Sequence, residues 1–330
     1  MNQVKFTVFA DLHYKKHMYA ATVSTLGTII ERAQLSGSEF ILHAGDLCND
    51  YKGSPELTNA LLRNKYSLPV YGVYGNHELE SRGNTMELVT PLLSNRPVIG
   101  DNYYYFDANG YRFVMLDTNY SLLDSKWVHN TEASWGAPAG STLANSLGDR
   151  QLEWLDNVLS DAKRLDKLVV VVSHAEFFGV HSPSPDAKAV LEIFDRVNKD
   201  KKTVILAING HYHTDHITER NGVIFFDCNT VLNGFWYPSN EQHYLPGETF
   251  GYEDYDSEGR LIKTEQLELN SLSQAKNTWF FTKPLSAVVT LRDDIVTIEG
   301  AKTEWMYGKQ SDKPLDGKRP IISDLSTTLY

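Results

Sequence analysis

Hydrophobic and polar positions in this chain switch repeatedly between two periods. Val4 to Ala10 is an apolar-rich run of strand length, after which Val23, Leu26, Ile30 and Ala33 recur at the spacing of a helix face. Glu39 to Ala44 predicts a second strand. Ser54-Pro55, a helix-capping residue followed by proline, predicts a helix to about Tyr66. Pro69 to Tyr74 predicts a third strand, and Tyr103 to Phe106 with Tyr111 to Leu116 predict a hairpin around Asn109-Gly110. From Asp149 onward, Leu152, Leu155, Leu159 and Ala162 mark another helix face. Leu168 to Val172 and Val204 to Ile208 are unbroken apolar runs, as expected of strands covered on both sides. Between them, Ser184-Pro185 repeats the helix-opening pair ahead of Val190, Ile193, Phe194 and Val197.

Beyond this point only β signals remain. His216 to Arg220 and Val223 to Asp227 flank the turn Asn221-Gly222, and Ala287 to Leu291 with Ile295 to Glu299 read as a further strand pair. The pattern predicts an α/β fold: two packed mixed β-sheets flanked by helices, in a single domain over residues 1–308. Two long stretches, 119–148 and 235–283, are aromatic, turn-rich and weakly periodic, and read as insertions. Residues 309–330 read as a polar C-terminal tail.

Five short segments carry the chemistry, each directly after a strand-like run. They are Asp11-Leu12-His13, Gly45-Asp46, Gly75-Asn76-His77-Glu78, the single His174, and Gly210-His211-Tyr212-His213. Open α/β sheets place their sites at the carboxyl ends of their strands, so five such turns can converge on one crevice. Carboxylate oxygen and imidazole nitrogen without thiolate suit manganese, iron or zinc. Four His, two Asp and one Asn exceed what one catalytic metal with an open position needs. They match two ions roughly 3.5–4 Å apart sharing a carboxylate. His211 and His213 point to opposite faces if extended and then address different metals; a turn would instead aim both inward.

Taken in order, these segments resemble the calcineurin-like metallophosphoesterase family, whose pattern is Asp-x-His, Gly-Asp, Gly-Asn-His-(Asp/Glu), His and Gly-His-x-His. The resemblance covers roughly residues 4 to 228, and the Asp-x-His opening is most similar to the class III cyclic nucleotide phosphodiesterase branch. It implies a four-layer α/β/β/α sandwich and a hydrolase of phosphate esters, specifically a phosphodiesterase. A hydroxide bridging two dications would attack phosphorus in line. Asp11, His13, Asp46 and His213 would hold the first metal; Asp46, Asn76, His174 and His211 would hold the second, with Asp46 bridging. His77 would be the catalytic residue over the substrate rather than a ligand, with Asp50 and Glu78 as candidates to orient its ring. The alternatives are a phosphomonoesterase or a nucleotide-conjugate pyrophosphatase on the same site, and a non-catalytic scaffold of the same fold.

The family's variable position after the bridging Asp narrows this. Purple acid phosphatases carry Tyr three residues on, where this chain has Asn49, and the run Gly45-Asp46-Leu47-Cys48-Asn49-Asp50 lacks the Arg-Gly of the protein phosphatases. Elsewhere, His43 lies inside a strand and reads as a packed core histidine. Tyr14, His17 and His181 neighbour the motif turns. Trp127, His129 and Trp135, in the first insertion, are candidates for a substrate wall or for packing of the insertion onto the body. Tyr103, Tyr104 and Tyr105 read as hairpin residues alternating between faces.

Composition changes the picture little. The 42 acidic and 31 basic residues leave a net charge of −11, which opposes broad nucleic-acid binding but not a small anion at a dication site. Two cysteines, Cys48 and Cys228, give no disulfide framework. No apolar stretch is long enough for a membrane span and no signal core opens the chain, so a cytoplasmic location is the expectation.

Overall fold

A computed structural model describes residues 2–13, 19–47, 68–79, 86–95, 99–100, 102–132, 138–179, 183–231, 233–234, 249–255, 261–268, 279–280, 283–303 and 328–330. In chain order the elements begin with β1 (Gln3–Phe9), α1 (Tyr19–Ser36), β2 (Phe40–His43) and β3 (Val70–Gly72). Next come β4 (Ile99–Gly100), β5 (Tyr104–Ala108), β6 (Tyr111–Met115), β7 (Tyr120–Leu123), β8 (Lys126–His129), β9 (Leu143–Ser146) and α2 (Asp149–Arg164). Then follow β10 (Leu168–Val172), α3 (Ala187–Asn198), β11 (Val204–Asn209), β12 (His216–Arg220), β13 (Val223–Asp227) and β14 (Asn233–Gly234). The last are β15 (Thr249–Tyr255), β16 (Leu261–Glu268), β17 (Trp279–Phe280), β18 (Ala287–Arg292), β19 (Ile295–Gly300) and β20 (Thr328–Leu329).

The strands build two large mixed sheets. One has six strands in the order β20-β19-β18-β1-β2-β3, and the other has seven in the order β12-β13-β11-β10-β6-β5-β4. β1, β2 and β3 run parallel, as do β6, β10, β11 and β13. The sheets pack face to face through aromatic contacts: Phe113 of β6 meets Phe6 of β1 at 5.3 Å and Phe40 of β2 at 5.0 Å between ring centres, both edge-on.

The unbroken apolar runs now have a cause. In β10, Val170 and Val172 join the core between the sheets, while Val169 and Val171 face α2 and α3. A strand buried on both sides has no polar face to alternate with. On the outer side, Leu155, Val158, Leu159 and Ala162 of α2 and Val190, Phe194 and Val197 of α3 cover the seven-stranded sheet. Leu26, Ile29, Ile30 and Ala33 of α1 pack into the core of the six-stranded one. Helices thus flank the pair of sheets, as expected.

Several boundaries differ from the sequence reading. α3 starts at Ala187 with Asp186 at its cap, not at Ser184-Pro185. The Asp186 carboxylate is instead taken by the amides of Leu147 (2.6 Å) and Gly148 (3.1 Å), and Ser184 Oγ donates to Asn145 O. The insertion at 119–148 is not one long loop: β7 pairs antiparallel with both β8 and β9 in a small sheet of its own. Within 235–283, β15 and β16 form a hairpin. The end of the polar tail is a strand, since β20 pairs with β19 at the edge of the six-stranded sheet. The helix expected over residues 54–66 lies outside the described residues.

Candidate metal centre

All five motif turns sit at carboxyl ends of parallel strands: β1, β2 and β3 from one sheet, β10 and β11 from the other. Backbone hydrogen bonds tie the turns to one another. Asp11 N–H donates to Gly45 O at 3.0 Å, His13 N–H to Asp46 O at 2.9 Å, and Gly210 N–H to His174 O at 3.1 Å.

The motif glycines are there because these turns touch. A Cβ on Gly75 would lie 2.0 Å from Asp46 Oδ1, one on Gly45 2.6 Å from His174 Nδ1, and one on Gly210 2.6 Å from Asp11 Oδ2. Each missing side chain is the space that a carboxylate or imidazole of another turn fills. Five non-glycine site residues also adopt left-handed backbone: Asp11, His13, Asp46, His211 and His213, with φ between 50° and 74°. Such conformations cost about 1–3 kcal/mol each and persist where the surroundings over-determine them.

The side chains converge in overlapping groups. Asp11, His13 and His213 present ligand atoms within 4.8 Å of one another, and so do Asp46, His174 and His211. His211 and His213 both have positive φ, so the segment is a turn and not extended, and their imidazoles join different groups. Asn76 Oδ1 lies 3.2 Å from His174 Nε2 and joins the second group. Asp46 stands between the groups, its Oδ2 3.2 Å from His174 Nε2 and 3.9 Å from His13 Nε2. A third triad is made by His13, Asp46 and His77, with His77 Nε2 also 3.9 Å from Asp46 Oδ2. The His77 side chain is 26% exposed, against 4% or less for His13, His174 and His213, so among these it is the one open to an incoming molecule.

The electrostatics fit a cation. His13 Nε2 and His213 Nε2 lie 2.9 Å apart, so one ring donates to the other or both face a shared positive ion. Burial, then repulsion from His213, takes His13 down to about 4; burial and the charge of His174 take His211 to about 4. Both are then neutral at pH 7, as metal ligation requires. Burial would also lower His174, but Asp46, Asp11 and the Ala44 carbonyl (2.7 Å from Nδ1) raise it to about 10. Burial alone would raise Asp46, yet His174, His77 and His13 hold it well below the ordinary carboxylate range. A proton on His174 Nε2 therefore occupies the place where a cation would balance Asp46. Buried carboxylate and imidazole donors that converge in overlapping groups are a fitting set for two dications.

Among the described residues, the remaining candidates have partners outside these donor groups. His43 is a core histidine, its Nε2 2.8 Å from Leu92 O. Tyr104 is buried and its hydroxyl pins β5 to β3 through Gly72, while Tyr103 packs on Trp154. In the first insertion, Trp127 lies against Gly148, where a Cβ would meet its ring at 3.1 Å. His129 has both nitrogens engaged, Nε2 with Asp117 Oδ2 at 2.7 Å and Nδ1 with Thr131 Oγ1 at 2.8 Å. Both residues thus have packing partners within the protein. Trp135, Asp50, Asn49, Cys48, Tyr14, His17 and His181 lie outside the described residues.

Sequence reasoning named Glu78 only as a candidate to orient the His77 ring and did not single out Thr230, Glu176 or Asp227. Glu78 receives the amides of Asp46 and Gly75 on one oxygen, and Thr230 Oγ1 donates to Asp11 O at 2.7 Å. Glu176 and Asp227, both buried, each place a carboxylate oxygen close to where a Cβ on Gly179 would lie. The one available signal was position: Glu176 follows His174 by two residues after a fully buried strand.

The calcineurin-like phosphoesterase family model matches residues 4–215, a span that holds every one of these motif residues. The chain belongs to this family. As a calcineurin-like phosphoesterase it is a metal-dependent hydrolase of phosphate esters. Among characterised relatives of this phosphoesterase, a manganese-dependent ADP-ribose/CDP-alcohol diphosphatase from Arabidopsis thaliana is 26% identical over 311 residues, covering 80% of this chain and 94% of the relative. A dimetal phosphatase from Danio rerio shares the fold, with a TM-score of 0.59 at 14% identity, covering 94% of this chain and all of that one. No helix among the described residues is long and apolar enough to cross a membrane.

Proposed function

We propose that this phosphoesterase hydrolyses phosphorus centres bearing two oxygen-linked substituents, and that its substrate is a nucleotide conjugate joined through a pyrophosphate. The observation that carries the hydrolytic reading is the position of Asp46 between two complete donor groups. Asp11, His13, Asp46 and His213 would hold one dication, and Asp46, Asn76, His174 and His211 the other, with manganese the ion favoured by the plant relative. Two dications bound there would lower the pKa of water toward neutrality and balance charge on the phosphoryl oxygens.

The chain's own residues do the rest. Asp46 Oδ1 accepts the His77 amide at 2.9 Å, which fixes the backbone of His77 beside the centre. The ring of His77 stays partly open, packed edge-on to His13 at 4.8 Å between centres. From there it would hydrogen-bond a phosphoryl oxygen or give a proton to the departing one. Asn76 orients with His174 through the 3.2 Å contact and offers its amide to the same anion.

The pyrophosphate reading rests on the diphosphatase relative, which matches most of both chains. It is compatible with the phosphodiesterase resemblance, because the attacked phosphorus of a disubstituted pyrophosphate carries two substituents just as a diester does. The leaving group differs: a phosphomonoester departs more readily than an alkoxide. Turnover of a sugar-nucleotide pyrophosphate, an aryl phosphodiester and an aryl phosphomonoester with added manganese tests the proposal. The pyrophosphate should have the highest kcat/KM and the monoester the lowest. A preference for the monoester would overturn the substrate assignment, and no turnover of any of the three would overturn the hydrolytic reading.

A further inference from the structure

Asp46 is held at three points besides its side-chain oxygen that faces the histidines. Its carbonyl accepts the His13 amide at 2.9 Å, and its Oδ1 accepts the His77 amide at 2.9 Å. Its own amide donates to Glu78 Oε2 at 3.1 Å, and the same oxygen takes the Gly75 amide at 2.7 Å. Glu78 is buried, and its neighbour Gly75 sits so close to Asp46 that no side chain would fit between them. One carboxylate oxygen thus joins two turns that end two different strands, β2 and β3.

Asp46 needs such a fastening because its backbone is left-handed, at φ 52°. With the amide, the carbonyl and Oδ1 all fixed, Oδ2 is the oxygen left facing His174, His13 and His77. Rotation about the backbone of Asp46 would move Oδ2 out of both donor groups at once. Glu78 was one of two candidates to orient the His77 ring; its Oε2 takes the backbone amides of Asp46 and Gly75.

We propose that Glu78 is a positioning residue for the metal centre, setting the bridging carboxylate of Asp46 through the shared Asp46 and Gly75 amides. The assignment rests on the two-dication reading above. Glutamine keeps an acceptor oxygen at the same reach, loses the charge and exchanges the other oxygen for an NH2 donor. Aspartate keeps the charge and falls one methylene short. Alanine leaves both amides without this acceptor. Geometry therefore predicts an order, Gln above Asp and Ala, that a purely electrostatic role would reverse between Gln and Asp.

The test compares Glu78→Gln, Glu78→Asp and Glu78→Ala with the unsubstituted protein in manganese titrations, following both turnover and the melting temperature. Loss of a residue supporting metal ligands typically weakens metal affinity about 10–100-fold. Glu78→Asp and Glu78→Ala should need that much more manganese for half-maximal activity, while Glu78→Gln should stay within a few fold. A uniform fall in melting temperature with unchanged manganese half-saturation in the folded fraction would make Glu78 merely structural and overturn the proposal. So would Asp behaving better than Gln. If the unsubstituted protein itself takes up no manganese, the metal reading fails first and this inference with it.

Discussion

The interior of the two sheets and the turns at their carboxyl ends are built from adjacent residues on opposite principles. Val170 and Val172 lie between the sheets, Val169 and Val171 under the helices, and every one of them is fully buried. Two residues further on, His174 is equally buried but carries a charge-bearing ring between Ala44 O and Asp46. In β1 the change is as abrupt, from Val8 and Phe9 in the core to a left-handed Asp11. These strand residues follow local preference, while the turns combine buried charge with five left-handed non-glycine residues. Sites that break local rules inside a frame that keeps them are where function is expected. The frame can absorb the cost because β1, β2, β3, β10 and β11 are fixed by their ladders and by two cores.

This contrast can be broken from either side. The largest effect is expected in the turns. His77→Ala should lower kcat/KM by ~10²–10⁴-fold for esters with basic leaving groups. The loss should be smaller for a pyrophosphate, whose leaving group needs less help from an acid, and metal content and melting temperature should stay close to those of the unsubstituted protein. Steady-state kinetics across leaving groups checks this. A loss of bound metal would make His77 a ligand, as its triad with His13 and Asp46 allows.

The core should answer in the other way. Phe113→Ala opens a cavity where β6 meets Phe6 and Phe40, and should cost about 3–5 kcal/mol of stability. Denaturant unfolding measures it. In the fraction that stays folded, manganese half-saturation should be unchanged, since that ring packs on Phe6, Phe40 and Phe106 of the strands.

A pH effect is expected at Asp227, buried at the end of β13. Burial, then the neighbouring Glu176 carboxylate, raises it from 3.8 to about 8, with Asn209 pulling weakly the other way. The folded state therefore holds a proton that the unfolded chain releases near pH 4. Its contribution to stability is complete below about pH 4 and is lost as the pH rises through about 8. Asp227→Asn should remove that loss, so unfolding measured near pH 5 and near pH 9 should differ less in the variant. An identical pH dependence in both proteins would contradict the assignment.

The strands and motif turns were legible in the sequence because each leaves a local trace. A buried strand shows as an apolar run, and a ligand turn as paired Asp, Asn and His immediately after it. What was not legible depends on distant partners. Ser184-Pro185 looks like an ordinary helix opening, yet the cap falls at Asp186, whose carboxylate the amides of Leu147 and Gly148 claim. The stretch from 119 to 148 shows little period because its three strands are short and several of their residues stay half-exposed. Glu78 could be noticed as part of Gly-Asn-His-Glu, yet its work with Asp46 spans 32 residues and two strands. Thr230 and Asp227 come from beyond the last motif and carry no motif of their own.

The central claim is that Asp46 is shared between two cation sites. Elemental analysis of protein purified without chelators, beside Asp46→Ala, tests it most directly. About two dications per chain are expected in the unsubstituted protein, and neither should be retained tightly once the shared carboxylate is gone. Two tightly held ions in Asp46→Ala, or a single ion in the unsubstituted protein at saturating manganese, would contradict the account.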